Sequence, residues 1–250
     1  MKEEILSANR FEKIYSFKEV TSTMDVCEEL IRSGIRRGIV VAESQTAGRG
    51  RNAKKWSSKA NGNIYLSFFD ELDTDCIPQR CAVAAYSAVA EFVKSAEVVR
   101  IKWPNDILIG MKKVSGMIAK TALFGEKKFF ICGIGINVFM PHEPGMDFVW
   151  EPAALTDYAE VKSEEVLSAL VKSTDRAFSL KTAEIINVYR QNINWMIGGK
   201  LVFSQDLIHR ENGEITGFSD DFSVIRISTD EGLKELSALS ILSLDCRCEI

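Results

Sequence analysis

Ile39-Val-Val-Ala42 runs directly into Glu43-Ser-Gln-Thr-Ala-Gly-Arg-Gly-Arg-Asn-Ala-Lys-Lys-Trp56, and Asn63-Ile-Tyr-Leu-Ser-Phe-Phe69 follows. The two apolar runs are short, rich in β-branched and aromatic residues, and bounded by turn residues, so both predict buried strands. The connection between them is polar. It carries Gly48 and Gly50 with four cations, Arg49, Arg51, Lys54 and Lys55. Glycine lets backbone N–H groups come close to an anion, and a guanidinium fork matches phosphate or carboxylate oxygens. The stretch predicts a mobile anion-binding loop held between two fixed strands. An ordinary solvated loop has the same composition, so the rest of the chain has to decide.

Around this stretch lie 250 residues, enough for one large domain or a large and a small one. With 46% hydrophobic and 26% charged residues, the composition is that of a soluble globular protein. A net charge of -4 gives no overall pull toward nucleic acid or an anionic membrane, so a basic loop in an acidic chain points to a small anionic ligand. The first residues lack the apolar stretch of a signal peptide, and no apolar run approaches the ~20 residues of a membrane span. Six cysteines (Cys27, Cys76, Cys81, Cys132, Cys246 and Cys248) form no CxxC pair and predict free thiols in a reducing cytoplasm. Two histidines, His142 and His209, give little support to a histidine-based triad or metal site.

Alternation over residues 11–17 predicts a first strand. Ser22-Thr-Met-Asp25 predicts the start of a helix capped by Ser22, with Met24, Cys27 and Ile31 inward and Gly34 at its end. An acidic turn at 70–75 leads to a helix opened by Pro78 and running to about Ala96, with Ala82, Tyr86, Val89 and Val93 inward. A short strand at 98–101 delivers Lys102-Trp-Pro-Asn-Asp106, which Pro104 makes a rigid corner. Strand 107–109 turns at Gly110-Met-Lys112, and residues 113–124 run back as its hairpin partner. Residues 127–138 follow after a Gly125-Glu126 turn and carry Gly133-Ile-Gly-Ile-Asn137. Glycines two apart leave one face of a strand bare; with Gly116 they open either a flat slot for a ring or a seat for a closely packed helix. Residues 139–152 read as loop, and helices follow at about 163–178 and 183–195. Gly198-Gly199 divides residues 1–197 from 198–250. Beyond it, turns at Glu211-Asn-Gly213, Ser219-Asp-Asp221 and Asp230-Glu-Gly232 and an alternating strand at 222–228 predict a small β-barrel of ~50 residues. The fold class is α+β, a mixed β-sheet packed with helices and followed by the barrel.

Three strand ends gather cations: the loop at 48–51, the corner at 102–106, and Lys113. Cations with glycine amides suit a triphosphate. Asp106 is a candidate ligand for Mg²⁺, which binds through one or two carboxylates and substrate phosphate, or else the group that fixes a lysine. Asn105 and Asn137 are candidates to read a purine edge. Trp56 or Trp103 is a candidate to stack on a base, with a core plug the favoured reading for Trp103.

In order and spacing, Gly48-Arg-Gly-Arg51 with Trp56, Lys102-Trp-Pro-Asn-Asp106, Lys113-Val-Ser-Gly-Met-Ile118 and Gly133-Ile-Gly-Ile-Asn137 resemble the biotin protein ligases, and Ser22-Thr23 completes the set. The resemblance covers nearly the whole chain. It implies a catalytic domain of the class II aminoacyl-tRNA-synthetase and biotin-ligase kind with an SH3-like C-terminal barrel. It implies biotin and ATP as substrates, Mg²⁺ as cofactor, and a biotin carboxyl carrier protein or domain as partner. Biotin carboxylate would attack the α-phosphorus of ATP to give biotinyl-5'-adenylate and pyrophosphate, and a carrier lysine would then attack the mixed anhydride. Carried over residue by residue, Ser22, Thr23 and Gln45 would hydrogen-bond the ureido head of biotin, with Met24, Gly48 and Gly116 in the same site. Arg49, Gly50 and Arg51 would close over biotin and the phosphates, within a lid at 46–58. Lys113 would touch both carboxylate and α-phosphate, and Trp56, Asn105 and Asn137 would serve the nucleotide. Arg51, Lys113 and Asp106 form the catalytic set. No enzyme nucleophile is needed, because the substrate supplies its own carboxylate.

Two positions depart from the family pattern: Lys120 stands where many members have an acid, and Met24 where an asparagine is frequent. Lys112 and Lys113 are adjacent, and Val-Ser-Gly directly after it selects Lys113. The ligase-like region begins almost at Met1, so no DNA-binding arm is expected; an exposed sheet edge permits a homodimer. The alternatives are a lipoate–protein ligase, whose Arg-Arg-x-Ser-Gly-Gly-Gly loop is absent, an octanoyltransferase resting on Cys132, and a non-catalytic biotin or adenylate sensor.

Overall fold

The computed structural model describes residues 2–5, 10–11, 13–52, 54–94, 99–141, 151–206, 208–241 and 243–247. Eight strands form a mixed sheet: β1 (Lys2–Ile5), β2 (Lys13–Val20), β3 (Gly38–Gln45), β4 (Ile64–Glu71), β5 (Val99–Lys102), β6 (Asp106–Ile109), β7 (Lys112–Phe124) and β8 (Lys127–Ile136). Their order is β1-β2-β3-β4-β8-β7-β6-β5. Only β2 and β3 pair in parallel, and the helix α1 (Thr23–Arg32) is the crossover that a parallel pair requires.

Helix α1 begins and ends where its sequence says. Ser22 accepts the Met24 N–H at 3.4 Å, and Gly34, at φ +93°, supplies the left-handed residue that stops the helix. Helix α2 (Ile77–Ala90) is shorter than its apolar pattern predicts. Its last turn tightens, with the Phe92 N–H bonding Val89 O at 3.1 Å, and the helix ends there although Val93 is still buried. Helices α3 (Ser163–Ser179) and α4 (Thr182–Ile193) complete the helical layer, α4 closing in a short 3-10 turn at Asn194–Met196.

The sheet has two unlike faces. Leu66, Phe68, Phe130, Cys132 and Ile134 turn toward α2 and α3 in one continuous core. Tyr15, Val40, Phe69, Phe129 and Ile131 turn the other way, where α1 is packed through Met24, Cys27 and Ile31. That second layer is only one ten-residue helix, so much of the face is left for a ligand.

Beyond Gly198 the chain forms a second, antiparallel sheet of β9 (Lys200–Ser204), β10 (Glu211–Phe218), β11 (Val224–Thr229), β12 (Gly232–Ser237) and β13 (Ser243–Arg247), in the order β12-β11-β10-β9-β13. Among the described residues its edge strands share no ladder, so the expected barrel is seen as a five-stranded sheet. Glu211-Asn-Gly213, read as a turn, lies inside β10. Gly213 is there because a Cβ would sit 2.4 Å from Ile227 on β11. Trp103 joins the two sheets: it is 1% exposed, and its indole N–H donates to Phe222 O at 2.9 Å. It is the core plug of the sequence reading.

Strand β1 was not foreseen; Lys2-Glu-Glu-Ile5 has no alternation that favours a strand. Strand β2 starts two residues later than expected, with Phe11 buried ahead of it. No helix among the described residues is long and apolar enough to cross a membrane.

Candidate active site

On the α1 face, Gly116, Gly133 and Gly135 leave the sheet bare beside the helix, and both readings of these glycines hold at different places. A Cβ at Gly133 would meet Met24 Sδ of α1 at 3.3 Å, so the helix packs close there. A Cβ at Gly135 would lie 2.5 Å from the Trp56 ring, and one at Gly116 2.8 Å from it, so the flat slot holds the chain's own indole. Trp56 in turn lines a cavity of about 540 Å³, within the usual size range of small-molecule sites. Gly135→Ala is expected to push the indole off the sheet. A shift in tryptophan emission would check this; an unchanged spectrum would contradict it.

The 48–56 segment is a tight hairpin rather than an open loop. The Gly50 N–H donates to Lys54 O at 2.7 Å, the Trp56 N–H to Gly48 O at 3.0 Å, and Arg49 and Lys55 face each other as a bridge. Gly48 admits no side chain, because a Cβ would be 2.4 Å from Ser58 Oγ and 2.5 Å from Trp56 O. The two arginines part company. Arg49 pairs with Asp25 in the first turn of α1. Arg51 donates to Asn105 Oδ1 at 3.3 Å, to Ala238 O, and to Ile241 O at 3.2 Å.

Among the described residues the cavity lining holds six cations, Arg49, Arg51, Lys54, Lys55, Lys102 and Lys113, against one carboxylate, Asp106. Such a surplus suits a polyanionic ligand. Lys113 Nζ lies 2.6 Å from Asp106 Oδ1 and 5.3 Å from the Trp56 ring centroid. Lys102 Nζ stands 3.7 Å from the other carboxylate oxygen. Burial pushes the Asp106 carboxyl up, but Lys113, Lys102 and Arg51 outweigh it and hold the group below the ordinary aspartate value. Two ammonium groups thus take the charge a metal ion would need. The Mg²⁺ reading of Asp106 does not fit, and its other reading, fixing a lysine, does. No cluster of three or more His, Cys, Asp or Glu occurs among the described residues. Lys112 points away from the cavity to Glu151, 2.5 Å off, which bears on the choice between the adjacent lysines.

The pattern of the biotin/lipoate A/B protein ligase family matches residues 16–137. The chain is 29% identical over 243 residues to the bifunctional ligase/repressor BirA of Bacillus spizizenii, covering 89% of this chain and 71% of that one. Over 109 residues it is 33% identical to the biotin–[acetyl-CoA-carboxylase] ligase of Mycobacterium tuberculosis, 40% of this chain and 39% of the relative. Its fold superimposes on the biotin protein ligase of Aquifex aeolicus in complex with biotin and ATP with a TM-score of 0.74, at 26% identity, covering 94% of this chain and 99% of that one. The chain is thus similar to the biotin/lipoate protein ligases, in sequence over residues 16–137 and in fold over most of its length.

Within the cavity the neutral polar residues form a connected set. The Thr23 N–H donates to Gln45 Oε1 at 2.8 Å, Thr23 Oγ1 lies 2.7 Å from Ser67 Oγ, and Gln45 Nε2 donates to Ser58 Oγ at 2.8 Å. Ser22 holds the helix start. Ser67 and Ser58 escaped the sequence reading. A serine inside the apolar run 64–69, fully buried in β4, was the available signal. The two asparagines are largely engaged with protein. Asn105 accepts from Arg51 at 3.3 Å and donates to Met117 O at 2.9 Å while lining the cavity. Asn137 donates to Ala153 O at 3.2 Å but still lines the cavity. Lys120 leaves the site and pairs with Glu28 of α1. Cys132 is buried, and burial drives its thiol well above the ordinary value, so it offers no nucleophile. His142 and Cys248 lie outside the described residues, as does the side chain of Cys246; His209 is an exposed partner of Asp206.

Proposed function

We propose that the chain activates biotin with ATP and transfers it to a lysine of a biotin carboxyl carrier domain. The observation that carries this reading is one cavity lined by two chemically distinct sets of residues. One is the neutral hydrogen-bonding set Ser22, Thr23, Gln45 and Ser67, suited to a ureido head; the other is the cationic group Arg51, Lys113 and Lys102. Biotin has this polarity, with a neutral polar ring at one end and a carboxylate at the other.

In the first step a carboxylate oxygen of biotin attacks the α-phosphorus, the bond to the β-phosphate oxygen breaks, and pyrophosphate leaves. In the second, the carrier amine attacks the acyl carbon and AMP leaves. Both reactants of the first step are anions. Lys113, fixed by Asp106, and Arg51, carried on the hairpin, offset their repulsion and the charge that develops at phosphorus. Magnesium would enter as the counter-ion of ATP, held by its phosphates rather than by Asp106. Trp56 and Asn137 are read as the adenosine side of the cavity, and Met24, Gly48, Arg49, Gly50 and Gly116 as its biotin side. The sheet of 198–250 is read as an SH3-like unit appended to a catalytic unit of 1–197.

The test is incubation with ATP, biotin and a carrier domain, followed by intact mass. A single biotinyl addition at one carrier lysine is expected; addition of lipoyl or octanoyl instead would overturn the reading. Arg51→Gly is expected to release adenylate, so that bystander lysines become labelled. Adenylate still tightly held in that variant would contradict the role given to the hairpin.

A further inference from the structure

We infer that the Ala238–Ile241 turn of the second sheet is a latch on Arg51, and that it sets how firmly the hairpin closes over the cavity. Arg51 reaches 187 positions along the chain to Ala238 O and 190 to Ile241 O, and Asn52 Nδ2 adds a bond to Ile241 O at 3.4 Å. Two neighbouring hairpin residues therefore converge on one turn. The turn is built to present those carbonyls. The Ser240 N–H donates to Ser237 O at 3.1 Å, and Ser240 Oγ donates to the same oxygen at 2.9 Å. Ile241 is anchored at 1% exposed while Leu239, at the tip, is 91% exposed. Leu244, three residues beyond Ile241, lines the cavity itself.

The chemistry of the partners separates this contact from an ordinary salt bridge. Arg49 is committed to a carboxylate, Asp25. Among the described residues the hydrogen-bond acceptors of Arg51 are neutral: one carboxamide oxygen and two backbone carbonyls. A guanidinium on neutral acceptors is held in place yet keeps its charge for an anion, because a charge-assisted bond to phosphate is about twice as strong as one to a neutral oxygen. The second sheet thus takes part in the site without contributing a reacting group. It places Arg51, and its turn is a positioning element.

The test uses the whole chain with two glycines inserted after Leu239, at the exposed tip, so that both carbonyls move while the strands on either side are retained. Thermal melting is followed alongside. Without any ligand, amide exchange at residues 49–56 is expected to rise about tenfold or more over the parent, with the rest of the mixed sheet unchanged. Unchanged exchange in the hairpin would overturn the latch, and so would a uniform rise across the sheet. A milder variant, Ser237→Ala with Ser240→Ala, is expected to give a smaller rise confined to the same residues. This readout stands apart from the proposed reaction.

The effect on the adenylate rests on the proposed function and is read separately, as its escape rate. The insertion and Arg51→Gly are expected to raise escape by similar factors, and the combination by no more than either alone, since both break one contact. Multiplying factors would show two independent effects and sink the coupling. A parent protein that forms no adenylate at all would remove the proposed function while leaving the exchange result to judge the latch.

Discussion

Lys113→Ala slows adenylate formation by about 10²–10³-fold while the protein still folds. Its ammonium is held directly on the buried Asp106 carboxylate, at 2.6 Å, so its position is fixed before a substrate arrives. Preorganised charge aimed at a reacting phosphate is worth that order of rate in other enzymes. Folding survives because Asp106 keeps Lys102 and the field of Arg51. Single-turnover pyrophosphate release, with a melting curve beside it, checks both halves of the expectation. Release at the parent rate would remove Lys113 from the chemistry.

Asp106→Ala is expected to cost more in stability than any other single change in the site, about 3 kcal/mol or more. The reason is what stays behind: Lys102, its side chain 4% exposed, and Lys113 would both lose the carboxylate they share. Asp106→Asn keeps the shape but not the charge and should lose a large part of the same amount. The pH dependence has a definite sign. In the folded protein the Asp106 pKa lies below its ordinary value, so the unfolded chain binds the proton more readily. Its contribution is fully present above the ordinary aspartate range, near pH 4, and is lost as pH falls through the lowered folded value. The gap in melting temperature between parent and Asp106→Ala should therefore be widest near neutrality and close in acid. A gap independent of pH would mean the loss is packing, not charge.

Much of this arrangement was legible before any coordinates. Local signals carried the helix α1, bounded by Ser22 and Gly34, the β6–β7 hairpin, and the bare glycine face, because each depends on residues a few positions apart. Lys113 could be picked from its neighbour Lys112 only by the residues that follow it, and in the fold it is Lys113 that lines the cavity while Lys112 turns to Glu151.

What stayed hidden was long-range. Nothing near Gly135 says that Trp56, 79 positions away, will lie on it. Nothing near Arg51 names Ala238 and Ile241 as its acceptors. The two bonds of Asn105, to Arg51 and Met117, are likewise made by tertiary structure. Gly213 beside an asparagine carries the signature of a turn, and only the closeness of Ile227 makes it a strand residue. The hairpin at 48–56 was read as an open, mobile loop for a similar reason: its closing bonds run between Gly48, Gly50, Lys54 and Trp56, residues whose types favour no strand.

The most direct test of the whole account is exchange of labelled pyrophosphate into ATP, measured with no acid, with biotin, with lipoate and with octanoate, in the parent and in Lys113→Ala. Exchange that needs biotin, is not supported by lipoate or octanoate, and falls by orders of magnitude without the Lys113 ammonium is the predicted result. Exchange that proceeds without biotin, or equally well with lipoate, or at the parent rate in Lys113→Ala, would contradict it.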